Sequence, residues 1–123
     1  MFEERPIGRK VASYFEIAYK VASNRGRFRK TFFLGAIGIR SDGVMVHADN
    51  GFSMQVERKG HAEYRVAQKL TPYSEVYVCR ISRLTGEFAN AKPCNSCQKM
   101  LRSKGVRKVY YTMGPKEYGV MQL

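Results

Sequence analysis

Two short segments of the chain carry the side chains best suited to chemistry. His61-Ala62-Glu63 places an imidazole two residues before a carboxyl group, and Pro93-Cys94-Asn95-Ser96-Cys97 places two thiols three residues apart. Residues three apart on a helix lie on the same side, and a helix N-terminus favours the thiolate form of cysteine. Two thiolates and one imidazole bind zinc and leave a fourth position open to water, as in catalytic sites. We therefore predict a zinc site formed by His61, Cys94 and Cys97.

Glu63 is the second component of this predicted site. A residue two positions after the histidine points about 200° away from it around a helix. Its carboxylate would therefore reach over the metal from the rim and would not bind it alongside the imidazole. A carboxylate in that position can carry protons to and from a substrate, and we predict this role for Glu63.

A closed structural zinc site is the alternative, with His47 or Cys79 as the fourth ligand. Closed sites normally show two close pairs of ligands, whereas this sequence has one such pair. Cys79 lies within an apolar stretch, where a free cysteine usually packs as a small hydrophobic side chain. His47 lies in a predicted strand. We expect structural roles for both residues.

The hydrophobic pattern predicts the helices and strands that must position these side chains. Apolar residues at helical spacing predict a helix over 8–24, β-branched and apolar stretches predict strands over 31–40 and 44–48, and Asp42-Gly43 predicts a tight hairpin turn between them. The remaining predicted elements are a helix over 61–70, a strand over 75–81, a helix from Pro93 to about Ser103 that is capped by Gly105, a strand over 106–112 and a short fifth strand over 118–123.

This order of elements predicts an α/β fold. Strands separated by a single helix are expected to be parallel, while the hairpin is antiparallel. We therefore predict a three-layer α/β/α sandwich with a mixed, mostly parallel sheet of four to five strands. The two site segments begin helices that follow strands, so they should meet at one end of the sheet. We expect residues 1–123 to form a single domain.

Composition and charge restrict the class of protein further. The longest apolar run, 32–39, is too short to cross a membrane, and the first six residues are too acidic and polar for a signal peptide. We expect an intracellular, cytoplasmic protein that keeps its three cysteines reduced. The formal net charge of +12 predicts a polyanionic or phosphorylated ligand, which includes nucleic acid.

The two motifs, H-x-E followed by P-C-x-x-C, resemble the signature of the zinc deaminases that act on cytosine or adenine. The order of elements is also similar to the cytidine deaminase-like fold over almost the whole chain. Asn50 stands eleven residues before His61, where nucleoside and base deaminases carry an asparagine that contacts the sugar or the base. The resemblance implies Zn²⁺ as the cofactor, Glu63 as the catalytic acid and base, and substrate contacts from Asn50 and the backbone N–H of Ala62.

Two classes of substrate agree with this resemblance. The first is a cytosine-containing nucleoside or nucleotide, of the cytidine or deoxycytidylate type, which would become its uracil counterpart with release of ammonia. Regulated deoxycytidylate deaminases usually carry a long insertion between the asparagine and the histidine. Only ten residues, 51–60, stand there, which argues against feedback control by a nucleoside triphosphate.

The alternative is a polynucleotide deaminase that acts on tRNA adenosine or on cytosine in single-stranded DNA or RNA, and the net charge favours it. A basic loop, with Arg25, Arg27, Arg29 and Lys30, is the candidate contact for phosphate or nucleic acid, although such a run can also be a solvated loop.

Tyr110, Tyr111 and Tyr118 lie in the region where polynucleotide deaminases recognise a neighbouring base, and we expect at least one of them to pack in the core. A degenerate, non-catalytic nucleic-acid-binding domain is disfavoured because Glu63 and the three ligands are all present. Members of the family often assemble into dimers or larger oligomers, so the resemblance is compatible with a homo-oligomer.

Overall fold

The computed structural model describes residues 9–23, 33–49, 62–82 and 85–123 of the protein. These residues form three helices and six strands in the order α1 (Arg9–Ser23), β1 (Phe33–Ile39), β2 (Met45–Asp49), α2 (Ala62–Ala67), β3 (Glu75–Ile81), β4 (Phe88–Ala89), α3 (Asn95–Ser103), β5 (Lys108–Gly114) and β6 (Glu117–Gln122). The predicted α/β class is confirmed, and so is the strand near the end of the chain. The two-residue strand β4 was not predicted, because it is too short for an alternating pattern.

The strands form one mixed sheet in the order β2-β1-β3-β5-β6, and β4 pairs with β3 beside this path. The prediction of a mixed sheet is confirmed, but the expectation that it is mostly parallel is wrong. Among the described strands, only β3 and β5 pair in parallel, while β1 with β2, β1 with β3, β3 with β4, and β5 with β6 are antiparallel. The connection through α2 passes over β1, so β2 and β3 lie on either side of β1 and do not become parallel neighbours.

Helices cover both faces of the sheet, which confirms the predicted three layers. On the α1 face, Phe15, Ala18 and Ala22 of the helix pack on Ile37, Tyr77, Cys79 and Ile81 of the sheet. On the α2–α3 face, side chains of both helices, among them Val66 and Leu101, pack on Ala36, Val76, Val78 and Val109. Successive strand residues therefore alternate between the two faces, as strand geometry requires.

α1 follows the predicted helix to within one residue at each end and lies very close to β1. Gly35 makes this approach possible, since a Cβ atom there would collide with the carbonyl oxygen of Ala18 and would lie 2.8 Å from the backbone nitrogen of Ala22. The small residues of the helix and the strand thus fix the distance between them.

The predicted hairpin turn is confirmed between β1 and β2. Arg40 N–H donates to the carbonyl of Val44, and Gly43 N–H donates to the carbonyl of Arg40, both at 2.9 Å. Gly43 has φ of +88°, a conformation that favours glycine. The Asp42 carboxylate accepts from the Val44 N–H and from Arg40, and the first of these contacts is the main reason that its pKa is lowered.

α2 is shorter than the predicted helix over 61–70. Its regular part ends at Ala67, and the chain then tightens, because the N–H groups of Lys69 and Leu70 donate to the carbonyls three residues earlier, Val66 and Ala67. Such i→i−3 bonds are common where a helix ends. The apolar spacing correctly predicted a helix in this segment, but it did not show that the regular helix ends at Ala67.

The end of α3 agrees with its prediction in detail. Gly105 has φ of +82°. Its N–H donates to Arg102 O at 3.0 Å, and the N–H of Val106 donates to Leu101 O at 3.1 Å. This is a Schellman motif, which ends the helix and turns the chain toward β5. Among the described helices, none is both long and apolar enough to span a membrane.

Candidate metal and catalytic centre

The first turn of α2 carries Glu63 into the protein interior. Ala62 is fully buried and the Glu63 side chain is 5% exposed, with its Oε1 atom shielded from solvent. A carboxylate in the first turn of a helix is stabilised by the N–H groups that point toward it. The first turn of α2 is therefore a favourable place for an acidic residue. The Glu63 side chain points into the protein and not toward solvent.

The two thiols lie at the beginning of α3. Cys94 is the N-cap residue, with extended backbone angles of φ −68° and ψ 165°, and its carbonyl accepts the first helical bond from Gln98 N–H at 2.9 Å. Cys97 is the third residue of the helix and is buried, whereas Cys94 is exposed. The prediction that Pro93 opens the helix is therefore wrong by two residues: Pro93 and Cys94 precede it. The N-cap geometry still turns the Cys94 side chain toward the third helical residue, so the thiols remain neighbours.

Hydrogen bonds from α3 favour the thiolate of Cys94. Its partial burial acts to raise the pKa of the thiol, but the Ser96 hydroxyl and then the backbone N–H and side chain of Cys97 outweigh this effect, and the net pKa is lowered. Ser96 Oγ lies 3.3 Å from the Cys94 sulfur. The backbone N–H of Cys97 lies on the side of the Cys94 sulfur and stabilises negative charge on it. Ser96 was not predicted as part of the site.

Glu63 lies close enough to the Cys94 thiol to act on it electrostatically. Its carboxylate opposes the lowering of the Cys94 pKa, since two negative charges repel each other. α2 and α3 are in contact on the same face of the sheet. The structure therefore brings together three of the four residues predicted for the centre, Glu63, Cys94 and Cys97.

Comparison with known proteins supplies the family. A family model for the cytidine and deoxycytidylate deaminase zinc-binding region matches residues 9–113. The chain belongs to this family. No curated protein matches it.

The donor groups of this deaminase suit the zinc that its family binds. Two cysteine sulfurs, one of which has a lowered pKa, form a pair of soft donors of the kind that zinc prefers. Within the described ranges, no group of three or more histidine, cysteine, aspartate or glutamate side chains is arranged to hold a metal. The third predicted ligand, His61, lies outside these ranges. The described part of the deaminase therefore provides a two-thiol half-site with an adjacent carboxylate.

Several other predicted contacts also lie outside the described residues. They are Asn50 and the basic loop with Arg25, Arg27, Arg29 and Lys30, and their roles remain predictions. Ala62 is described, at the start of α2 directly before Glu63. Its predicted contact with substrate remains a prediction as well.

The alternative fourth ligands lie on the wrong side of the deaminase sheet. Cys79 packs under α1, and burial raises its pKa to about 12. His47 stands opposite Ile37 in the antiparallel pair of β2 and β1, so both side chains lie on the α1 face. Cys97 belongs to α3, which covers the other face. A closed zinc cage that includes Cys79 or His47 does not fit this arrangement.

The tyrosines near the end of the deaminase divide between the two faces. Tyr110 stacks on Tyr77 with ring centroids 4.4 Å apart, and Tyr118 packs against Phe15 at 6.0 Å. The ring of Tyr111 covers Gly119 on the α2–α3 side. The expectation that at least one of the three packs in the core is confirmed.

Two further residues of the site region were missed. Gln98 Nε2 donates to the carbonyl of Pro93 at 2.8 Å, and the Thr112 hydroxyl donates to the carbonyl of Ala89 at 2.7 Å. Gln98 follows the second cysteine directly, which was the one available signal. Thr112 gives no signal in the sequence, because its partners are far away along the chain.

Proposed function

We propose that the protein is a zinc-dependent hydrolytic deaminase that converts a cytosine-containing nucleoside or nucleotide, of the cytidine or deoxycytidylate type, into its uracil counterpart. The position of the buried Glu63 carboxylate near the Cys94 thiol, at the start of the helix that carries Cys97, supports this proposal. A carboxylate that shares a site with two zinc-binding groups, without belonging to their helix, is placed to transfer protons rather than to bind the metal.

Cys94, Cys97 and His61 would hold the zinc, with one coordination position left open. When bound there, zinc lowers the pKa of a water molecule and supplies a nucleophile near neutral pH. Ala62 begins the helix next to this position, and its backbone N–H is free of an intrahelical acceptor because it stands at the first position of α2. We propose that this Ala62 N–H donates a hydrogen bond to the carbonyl oxygen of the base. We propose that Asn50 contacts the sugar or the edge of the base.

Glu63 performs the proton transfers. Its carboxylate accepts a proton from the attacking water and delivers it to the ring nitrogen next to the amine-bearing carbon. Glu63 then takes the second proton of that water from the hydroxyl group on the carbon and passes it to the amine. The C–N bond breaks, the amine leaves as ammonia, and the oxygen stays on the carbon as the new carbonyl group. Burial of the carboxylate keeps bulk water away, so that the proton moves between Glu63 and the substrate.

The test is Glu63→Gln, which keeps the shape and the polarity of the side chain but removes its ability to accept a proton. Ammonia release should fall by about 10²–10⁴-fold, the usual contribution of a general acid and base, or further. Zinc content should remain at the level of the unaltered protein. The matched control is Glu87→Gln, an exposed residue whose backbone N–H donates to the Thr85 hydroxyl. Turnover retained in Glu63→Gln would contradict the proposed role.

The second candidate function is deamination within a polynucleotide, which is favoured by the distribution of charge. The formal net charge is +12. α3, all nine residues of which are described, contains Lys99 and Arg102 on its exposed side and no acidic residue. This cationic helix begins at the proposed centre, so a phosphate backbone that leaves the site would meet favourable charge along it.

A substrate panel distinguishes the two candidates. Ammonia release is measured from cytosine, cytidine, deoxycytidylate, single-stranded DNA and tRNA at low and high salt. The nucleotide proposal predicts activity on cytidine or deoxycytidylate with little dependence on salt. Activity confined to polymers that falls steeply as salt rises would replace it with the polynucleotide function.

A further inference from the structure

The segment that leads into the first thiol, residues 89–94, is fixed by contacts from two other elements. At its beginning, the Ala89 carbonyl accepts from the Thr112 hydroxyl at 2.7 Å, and the Ala91 N–H donates to the Thr112 carbonyl at 2.8 Å. At its end, the Pro93 carbonyl accepts from Gln98 Nε2 at 2.8 Å. Both ends of a short irregular segment are therefore anchored by side chains outside it.

Thr112 occupies a particular place in the sheet. The parallel ladder of β3 and β5 ends at the pair Val78 and Tyr111, and Thr112 is the next residue of β5. There its hydroxyl accepts from the Arg80 N–H of β3 at 3.3 Å while donating to Ala89 of β4. The side chain is 2% exposed. The Thr112 hydroxyl therefore links β3 and β5 at the point where they stop pairing with each other and β4 pairs with β3.

From these contacts we propose that Thr112 and Gln98 are positioning residues for the metal centre, which hold residues 89–94 so that Cys94 stands beside Cys97 before zinc binds. This inference rests on the proposed function in that it takes Cys94 as a zinc ligand. A thiol on an unanchored segment would lose conformational freedom when the metal binds, whereas a fixed segment has already lost it. The anchors should therefore increase zinc affinity without touching the metal.

The experiment compares Thr112→Val, which keeps the shape of the side chain without the hydroxyl, with Thr112→Ser, which keeps the hydroxyl. We expect zinc affinity, measured by competition with a chelator, to fall by about tenfold in Thr112→Val, as for other residues that orient metal ligands. Thr112→Ser should restore it. Gln98→Met removes the anchor at the other end and should weaken zinc binding in the same direction, which provides a second variant at a less buried position.

Ser74→Ala is the matched control for general stability. Ser74 is also fully buried and also donates its hydroxyl to a backbone carbonyl, that of Thr71, at 2.5 Å. It precedes β3 at the end of the sheet away from residues 89–94. Its loss should lower the thermal unfolding temperature without changing zinc affinity. Cobalt-substituted protein adds a spectroscopic readout, because the thiolate-to-cobalt absorption should change in Thr112→Val and Gln98→Met and not in Ser74→Ala.

Unchanged zinc affinity in both Thr112→Val and Gln98→Met would overturn the inference. Equal loss of zinc in Ser74→Ala would overturn it too, because zinc retention would then follow the stability of the whole fold. Since the measurement uses the metal alone, a failure of the unaltered protein to release ammonia from any substrate would overturn the proposed function and leave this result standing.

Discussion

The two faces of the central sheet are built from different side chains. On the α1 face, Phe15, Tyr77, Tyr110 and Tyr118 form a continuous group of rings with centroids 4.4–6.4 Å apart. On the α2–α3 face the buried side chains are mostly alanine and valine. Small side chains let two helices lie close to the sheet and to each other, which brings Glu63 near the thiols. The aromatic face buries large surfaces and carries none of the three described residues of the predicted centre, Glu63, Cys94 and Cys97.

A pair of buried cysteines shows the same contrast. Cys79 and Cys97 are both fully buried, one on each face of the sheet. Cys79 lies among apolar side chains, and burial raises its pKa to about 12. Cys97 lies in the first turn of α3, beside the Cys94 thiol, whose pKa is lowered. Burial alone therefore does not decide whether a cysteine is inert, since the neighbouring groups do.

The largest expected effect comes from exchanging each of these cysteines for alanine. Cys97→Ala should lose zinc and ammonia release, because removal of a ligand weakens binding beyond the ~10–100-fold typical of residues behind the ligands. Cys79→Ala should keep both. Zinc content by elemental analysis, together with ammonia release, measures the difference. Equal loss of zinc from the two variants would remove the functional distinction between the two faces.

A large effect on stability is expected from Phe15→Ala on the α1 face. Phe15 is 3% exposed and contacts the rings of Tyr77, Phe88 and Tyr118. Its truncation leaves a cavity and should lower the free energy of unfolding by about 3–5 kcal/mol, measured by urea denaturation. The zinc affinity of the folded variant should stay close to that of the unaltered protein. A tenfold loss of zinc affinity would show that the aromatic face also shapes the centre.

The smallest effect concerns the titration of Cys94 in metal-free protein. Because its folded-state pKa lies below that of an ordinary cysteine thiol, alkylation should begin at lower pH than for an unfolded thiol. The thiolate contributes stability that is present above the pKa of the unfolded thiol and is lost as the pH falls through the lower folded-state pKa. Cys79, whose pKa is raised and whose side chain is buried, should stay unmodified at the same pH. Peptide mass spectrometry after timed alkylation measures both rates, and alkylation of Cys79 first would contradict the assignment.

Local signals in the sequence predicted much of the fold. The turn at Asp42-Gly43, the helix end at Gly105 and the strand over 75–81 each depend on residues that are neighbours along the chain, so they could be recognised without the structure. The strand pairing could not. The sheet is mixed as predicted, but it is not mostly parallel, because α2 carries the chain across β1. The sequence contains no local signal for the side of β1 on which β3 lies.

The same limit applies to the centre. His61, Glu63, Cys94 and Cys97 were predicted from residue type and spacing, and the structure brings the last three together. Thr112 was missed because its hydroxyl acts on Arg80 and Ala89, which are distant along the chain. Cys94 was placed inside the helix because a proline before it suits a helix start, whereas in the structure Cys94 is the N-cap residue that precedes the helix.

The contact between Thr112 and residues 89–94 also bears on how the protein acquires its centre during synthesis. A chain is made from its N-terminus, and Cys94 and Cys97 precede Thr112. Both thiols therefore leave the ribosome before the strand that anchors them, and the parallel pairing of β3 with β5 must wait for β5. Tight zinc binding should therefore come late, after β5 has paired with β3. Incomplete chains that lack β5 would carry exposed thiols that are prone to oxidation.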